Sequence, residues 1–348
     1  MLHDNTTPFS AIAFEQWHRD GTTMAAVAVR GVYELSDSGS LSLSDHQELV
    51  FADEYAGSSQ DTALVRTSDL VPFKPSADIT VVGSTYPPGH EKSARWECGI
   101  KVGELKHILR CSGPREWEAT GRKGASPSWK LTDARPVESM PLDYLNASGG
   151  SIIGDPDRGV SHFNPLGPGI LHPRYTPMDR RFRAPAIDSE NYPVNDPFAE
   201  VEPQGMAPVP PSWRFRLQHA GTYDDAWLEK RHPKLPENFD YRFYQTAHPA
   251  LIYPGYLRGD EQVTFAGLTP GGEVHRFNLP NALPCAKFLW SDGKEVSMRL
   301  NLDGLHLDLR KGPPWRVDLT WRGWMEINPE FFKVDLFLAD PESGLITT

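Results

Sequence analysis

Apolar and polar residues alternate along several stretches of the chain, with the two-residue period that is typical of β-strands. The clearest case is a predicted hairpin over residues 94–112, in which Cys98 pairs with His107. This register places the apolar residues on one face and the charged residues on the other. It also sets Cys98 and Cys111 several positions apart, which disfavours a disulfide between them.

A second pattern is the run of β-branched residues at 79–82, which follows a proline-rich lead-in and ends at a Pro-Pro-Gly turn. We predict a buried, central strand here, because such residues fit a pleated surface well. Lys74 and Asp78 bracket the entrance of this strand. We predict that they order the segment that begins near Met140 and that they take no part in catalysis. The whole structural motif consists of Lys74, Pro75, Asp78 and Gly83, where Gly83 marks a bulge or a close backbone approach.

Alternation and turn residues predict further strands along most of the remaining chain. These strands cover residues 9–17, 24–33, 41–45, 116–118, 129–131, 262–266, 274–278, 287–290, 296–302, 305–309, 317–321 and 334–338. The dipeptide Asp303-Gly304 predicts a hairpin turn between two of them. One helix is predicted to begin after Thr222 or Asp224, both suitable N-caps, and to end before Pro233.

These elements predict a mainly β fold, with antiparallel sandwich or barrel-like sheets, one or two short helices and a long irregular excursion. The N-terminal β region covers residues 1–139, the ordered excursion 140–212, and the helix with the C-terminal β region 213–348. We expect both β regions to build one continuous domain. Residues 201–211, at the far end of the excursion, are expected to be mobile.

Composition narrows the function classes. The 348 residues carry a formal net charge of −11, which argues against nucleic acid as a partner and favours a basic one. We see no secretory signal and no run long enough to span a membrane, and the cysteine count of three is odd. These features predict a cytoplasmic protein that does not insert into membranes. No spacing of ligands indicates a metal site, and no glycine-rich phosphate loop indicates a nucleotide cofactor.

Candidate catalytic residues are sparse. Asp155 and Asp157, with the nearby histidines His162 and His172, could form a metal or acid–base site, although Asp-Pro is also a common start of a turn and no metal-ligand spacing accompanies it. A dyad of His219 with Asp224 or Asp225 is a second possibility. No nucleophile motif accompanies either group. A hydrolase that uses these carboxylates or histidines therefore remains an alternative.

Aromatic residues provide a stronger indication of a binding surface, because tryptophan and tyrosine contribute much of the energy of protein interfaces. The chain has ten tryptophans, and five of them lie near turns or element ends, where they could form an exposed surface; the alternative is that most of them belong to the core or are half-buried. These five are Trp213, Trp227, Trp315, Trp321 and Trp324. The predicted partner-binding residues are Trp213, Tyr223, Trp227, Tyr256 and Arg258.

Five segments, in order, resemble the motifs of a domain-of-unknown-function family of type VI secretion effector adaptors or chaperones, encoded beside VgrG, PAAR proteins and effectors. The segments are residues 69–83, 140–150, 164–169, 220–240 and 255–261. In the second segment the family has Glu-Arg-Ala-Phe-Gly-Gly, whereas residues 145–150 are Leu-Asn-Ala-Ser-Gly-Gly. The family supplies no catalytic residues.

The resemblance implies a non-enzymatic adaptor that binds an effector, or its PAAR region, and helps to load it onto the VgrG spike. The expected partners are thus an effector protein, a PAAR-domain protein or VgrG. A structural component of the spike is a further alternative.

Overall fold

The chain is mainly β in the computed structural model, which describes residues 1–57, 62–120 and 128–340. The strands of the N-terminal half are β1 (Leu2–Asn5), β2 (Ser10–Trp17), β3 (Thr23–Leu35), β4 (Leu41–Leu43), β5 (Glu54–Tyr55), β6 (Leu64–Arg66), β7 (Asp78–Val82), β8 (Ser84–Thr85), β9 (Arg95–Val102), β10 (Leu105–Ser112), β11 (Glu116–Thr120), β12 (Ser128–Leu131), β13 (Met140–Pro141), β14 (Phe182–Arg183) and β15 (Ile187–Asp188). The helices are α1 (Arg214–Leu217) and α2 (Asp225–Lys230). The remaining strands are β16 (Gln262–Ala266), β17 (Val274–Asn278), β18 (Pro284–Trp290), β19 (Glu295–Arg299), β20 (Asn301–Asp308), β21 (Trp315–Glu326) and β22 (Phe331–Leu338).

Three larger sheets organise these strands. The first has the order β2-β3-β21-β20-β7, with β4 paired to β3; the second is β15-β10-β9-β16-β17; the third is β1-β22-β18-β19. Pairing is antiparallel except between β7 and β20 and between β1 and β22. Each of these sheets combines strands from both ends of the chain, because the apolar faces are completed only by long-range pairing.

One cluster of buried side chains lies between the three sheets. It takes Val29 from β3, Ile100 from β9 and Phe288 from β18, one residue from each sheet. The predicted mainly β class with antiparallel sheets is confirmed, and the arrangement is that of a sandwich. No closed barrel occurs within the described ranges. Among the helices described there, none has the length and apolar character needed to cross a membrane.

The strand predicted at 79–82 exists as β7 and is fully buried, but it is not central. It is the last strand of its sheet and pairs in parallel with β20. Its outer edge is covered instead by other segments: Val81 N donates to Met206 O at 2.8 Å, and Asp78 forms an isolated bridge with Ile252. The run of β-branched residues therefore correctly indicated that this strand is covered. It did not indicate the position of the strand within the sheet.

The predicted hairpin at 94–112 is also present, as β9 and β10, with alternating buried and exposed residues. The predicted register is wrong by two residues: His107 pairs with Ile100, and Cys98 pairs with Leu109. Because the error is an even number, every side chain keeps its predicted face. Cys98 and Cys111 are closer than predicted, with a distance of 3.6 Å between their sulfur atoms, and both are free thiols.

The hairpin turn predicted at Asp303-Gly304 is wrong. Both residues lie inside β20, where the register against β21 shifts between Leu302 and Gly304 as a bulge. Asp303 is buried and pairs with Arg322 Nη1 at 2.5 Å. The short-range turn signal was thus overridden by a long-range ion pair.

The excursion at 140–212 is ordered by two small apolar clusters. One contains Tyr144, Val209 and Trp213, and the other contains Trp117, Leu171 and Val194. Residues 204–210 are buried, which contradicts the mobility expected for the far end of the excursion.

Candidate functional site

Helix α2 is the element on which the sequence placed two predicted binding residues. Asp224 is its N-cap, and its carboxylate accepts a hydrogen bond from Trp227 N at 2.9 Å. Asp225 lies in the first turn and Lys230 in the last, which matches the direction of the helix dipole. The predicted start and end of the helix are therefore confirmed.

No residue of α2 is buried, yet the helix carries apolar side chains. Leu228 is 59% exposed, and Tyr223, just before the N-cap, is 52% exposed. The ring of Tyr223 meets that of half-buried Trp227 edge to face, with centroids 4.7 Å apart. We call Tyr223, Trp227 and Leu228 the α2 surface. Two of its three residues are exposed, and the residues next to them in the chain include the charged Asp224, Asp225, Glu229 and Lys230.

Hydrogen bonds attach α2 to the rest of the molecule. Trp227 Nε1 donates to Lys234 O at 2.9 Å, and Lys234 Nζ donates to Gly21 O at 3.1 Å. Arg231 donates to Arg19 O, in the turn between β2 and β3. The α2 surface is therefore held in place without a buried face of its own.

A second aromatic group lies near this attachment. Phe73, from the proline-rich lead-in, stacks on Trp324 at 5.5 Å and lies 4.4 Å from the ring of Tyr241. His18 stacks on Trp324 at 5.3 Å. Burial raises the pKa of the Tyr241 hydroxyl, which accepts a hydrogen bond from Arg19 N at 3.0 Å. These half-buried rings connect the lead-in motif to the β2–β3 turn, to which α2 is also attached.

Three of the five tryptophans considered for an exposed surface are buried. Trp213 is 3% exposed and meets Tyr144 edge to face at 5.0 Å. Trp321 stacks on Phe9, and Trp315 packs beside Phe265 in the main core. The exposed position is wrong for these three and the core alternative is confirmed, because their large apolar rings complete clusters that the local sequence does not reveal. Trp227 and Trp324 are half-buried.

The other two predicted binding residues lie elsewhere. Tyr256 is half-buried and donates its hydroxyl to Lys74 O at 2.7 Å. Arg258 is exposed and lies 3.2 Å from Asp260, in a turn whose backbone N–H groups bond to the buried carboxylate of Glu261. No contact joins either residue to the α2 surface within the part of the chain that is described.

Lys74 and Asp78 form a buried ion pair, with Lys74 Nζ 2.7 Å from Asp78 Oδ2. The Asp78 carboxylate also accepts hydrogen bonds from Thr246 N at 2.6 Å, Thr246 Oγ1 at 2.9 Å and Gln245 Nε2 at 3.0 Å. Burial opposes ionisation of Asp78, but Lys74 and these donors outweigh it and lower its pKa.

The pair lies beside the excursion that begins near Met140. Thr246 N and Oγ1 donate to Asp78, and Val209 N, in the excursion, donates to Thr246 O at 2.7 Å. That the pair orders the excursion stays a prediction. Pro75 is exposed in the lead-in. Gly83 has the predicted close approach: a Cβ there would lie 3.1 Å from Leu309 Cβ.

A network of buried charges beside this pair was missed by the sequence analysis. Arg30 Nη2 lies 2.7 Å from Asp69, and Arg30 Nη1 lies 2.8 Å from Asp318. Burial opposes the charge on Arg30, but both carboxylates raise its pKa, and Arg30 in turn helps to lower the pKa of Asp69. Arg322 links Asp69 to Asp303. In the sequence, this network could have been recognised from charged residues at the inward-facing positions of apolar strands.

The candidate hydrolase residues are not brought together. Asp155 pairs with Arg158 at 2.6 Å, while His172 accepts from Arg174 N and stacks on Tyr175. His219 lies 3.7 Å from Asp240, not beside Asp224. Among the described residues, one group could hold a metal ion: the ligand atoms of Asp37, Glu273 and His275 lie within 4.8 Å of one another. Thr269 already bonds His275 Nε2 at 2.9 Å.

Comparison with known proteins gives one family match. Residues 20–322 match the model of a family described as "Uncharacterized protein conserved in bacteria (DUF2169)". No curated protein and no solved structure gives a significant match.

Proposed function

We propose that this chain, which belongs to the bacterial family DUF2169, is a non-enzymatic adaptor that binds a partner protein through the α2 surface. The observation that carries the proposal is the exposure of Leu228, on a helix without a buried face, and of Tyr223, just before its N-cap. Apolar side chains that remain exposed on an ordered element are typical of protein-binding sites.

The attachment of α2 also supports this role. Because Lys234 and Arg231 bond to the β2–β3 turn, the partner does not have to order the helix on binding. A preformed surface loses less conformational entropy on association, which favours affinity. Tyr223 and Trp227 would supply large contact areas at a small entropic cost.

The proposed partner rests on the motif resemblance alone. We propose a type VI secretion effector, or its PAAR region, which the adaptor would carry to the VgrG spike in the cytoplasm. The net charge of −11 favours a basic segment in that partner.

The test uses the full chain with the effector and the PAAR-domain protein encoded beside its gene. Affinity is measured by calorimetry for the wild type, Tyr223→Ala and Leu228→Asp. We expect each substitution to weaken binding by about tenfold or more, as for interface hot spots, and to leave the thermal midpoint unchanged.

Val274→Asp provides a matched control, because Val274 is also 59% exposed but lies in β17. Wild-type affinity in both α2 variants would refute the α2 surface as the binding site. Absence of a complex with either neighbouring protein would refute the type VI partner, and secretion in stoichiometric amounts with VgrG would favour a structural component of the spike.

A further inference from the structure

A cavity of about 580 Å³ lies between the second sheet and the small sheet β12-β11-β14. Strands β9 and β10 contribute Arg95 and Arg110 to its lining, and the segment before β11 contributes Arg115. Its volume is within the range of sites that enclose a small molecule. Neither the binding role proposed above nor the α2 surface involves this cavity.

The cavity is positively charged, although the whole chain is acidic. Its lining includes four cationic side chains, those of Arg95, Arg110, Arg115 and Lys130, but only two carboxylates, those of Glu97 and Asp188. Clefts lined by one sign of charge concentrate the opposite sign. The positive charge of the cavity therefore favours an anionic ligand, although the negative net charge of the whole chain favours basic partners.

Asp188 is the shared partner of two of the arginines. Its Oδ1 lies 2.9 Å from Arg110 Nε, and its Oδ2 lies 3.5 Å from Arg115 Nη2 while also accepting from Val194 N at 3.1 Å. Arg95 is exposed and has no ion-pair partner among the described residues. Asp188 thus pairs with two of the three guanidinium groups, while Glu97, the other carboxylate of the lining, lies opposite Arg110 across β9 and β10.

Arg115 is the most buried of the three. It is only 9% exposed; its Nε donates to Pro185 O at 3.0 Å, but Nη1 has no hydrogen-bond partner in the described part of the chain. Burial lowers the pKa of Arg115; Asp188 counteracts this, and the positive charges of Arg95 and Arg110 add to the lowering. A buried guanidinium that lacks full compensation is stabilised when an anion approaches.

The lining of the cavity also includes apolar side chains. These are buried Trp117, half-buried Trp129 and buried Val194. The ring of Trp129 packs against that of Phe182, with ring centroids 6.0 Å apart. A ligand that fits both the cationic and the apolar lining has an anionic head and a flat apolar body.

We propose that this cavity binds a small molecule that carries an oxyanion, a carboxylate or a phosphate, on an aromatic or similarly apolar group. The oxyanion contacts Arg95 and the free Nη1 of Arg115, and the apolar group lies against Trp129. Guanidinium groups suit both head groups, because their forked donors match two oxygen atoms.

The test measures binding of benzoate and of phenyl phosphate to the full chain, with neutral benzamide as the comparison ligand. Tryptophan fluorescence and ligand-observed NMR report the binding. We expect saturable binding of at least one anion, with Kd near or below about 1 mM, and binding of benzamide at least about tenfold weaker. The preferred head group identifies the ligand class, and affinity falls with added salt.

Arg95→Gln is the decisive variant, because Arg95 is exposed and its loss leaves the fold intact. We expect it to weaken anion binding by about tenfold or more, the usual effect of losing a charge-assisted contact. Arg276→Gln is the matched control: Arg276 is exposed on β17 of the same sheet but does not line the cavity. Equal affinity of Arg95→Gln and wild type, or failure of both anions to bind, would overturn the proposal.

Discussion

Replacement of Lys74 by methionine would leave the Asp78 carboxylate buried without its counter-charge. Removal of one partner from a buried ion pair typically costs about 3–5 kcal/mol. Asp78 keeps its hydrogen bonds from Thr246 and Gln245, so we expect a loss near the lower limit, about 3 kcal/mol. This loss is a large part of the roughly 5–15 kcal/mol by which a native protein is stable.

The effect should depend on pH. In the wild type the pKa of Asp78 is lowered, so its contribution to stability is present above the unfolded pKa of about 3.9 and disappears as the pH falls through the lower folded pKa. In Lys74→Met, the positive charge that outweighed the burial of Asp78 is gone. We expect burial to raise the pKa of Asp78 in the folded state above its value in the unfolded state. The loss in free energy of unfolding caused by Lys74→Met is then complete at pH 7 and decreases toward pH 4. The difference in stability between variant and wild type therefore becomes smaller on acidification.

Urea unfolding at pH 7 and at pH 4 measures both free energies of unfolding. Lys101→Met is the control, because Lys101 is exposed on β9. The double variant Lys74→Met/Asp78→Asn should be more stable than Lys74→Met alone, since it buries no charge. A loss below about 1 kcal/mol at pH 7, or a gap that does not change with pH, would contradict the buried ion pair.

Two other predictions concern the excursion and the thiols. Gly149→Ala should destabilise the protein by about 2 kcal/mol or more in urea unfolding, because φ is +137° and a Cβ would lie 2.2 Å from Asn164 O. Gly255→Ala, with φ of +88° but open space around it, should cost only about 1 kcal/mol; equal losses would argue against the close approach at Gly149. All three cysteines are buried, so a thiol reagent such as DTNB should label Cys98, Cys111 and Cys285 only after unfolding, and labelling of any of them in the native protein would refute this arrangement.

Local patterns in the sequence predicted many individual elements correctly. Strands β16 and β17 occupy the predicted residues, and α2 has its predicted N-cap, Asp224. The strands follow from the two-residue alternation, and the start of the helix follows from an N-cap whose hydrogen-bond donor is three residues further on. Both signals lie within a few neighbouring residues. Long-range context explains the errors, such as the turn predicted at Asp303-Gly304.

The candidate site was predicted in part. Tyr223 is exposed just before α2 and Trp227 is half-buried on it, whereas Trp213 fills an apolar cluster of the excursion. The local sequence around a tryptophan near the end of an element looks the same whether its ring is exposed or buried. Whether its ring is exposed depends on which distant segment reaches it, here Tyr144.

The sequence by itself determined that this chain is mainly β, which faces of its strands are apolar and where α2 begins, because these properties follow from side-chain periodicity and local hydrogen bonding. Only the tertiary structure decided that β7 pairs in parallel with β20, that Lys74 and Asp78 are buried, and that Arg95, Arg110 and Arg115 surround one cavity. Each of these depends on residues far apart in the chain, and their proximity is set by the packing of whole sheets.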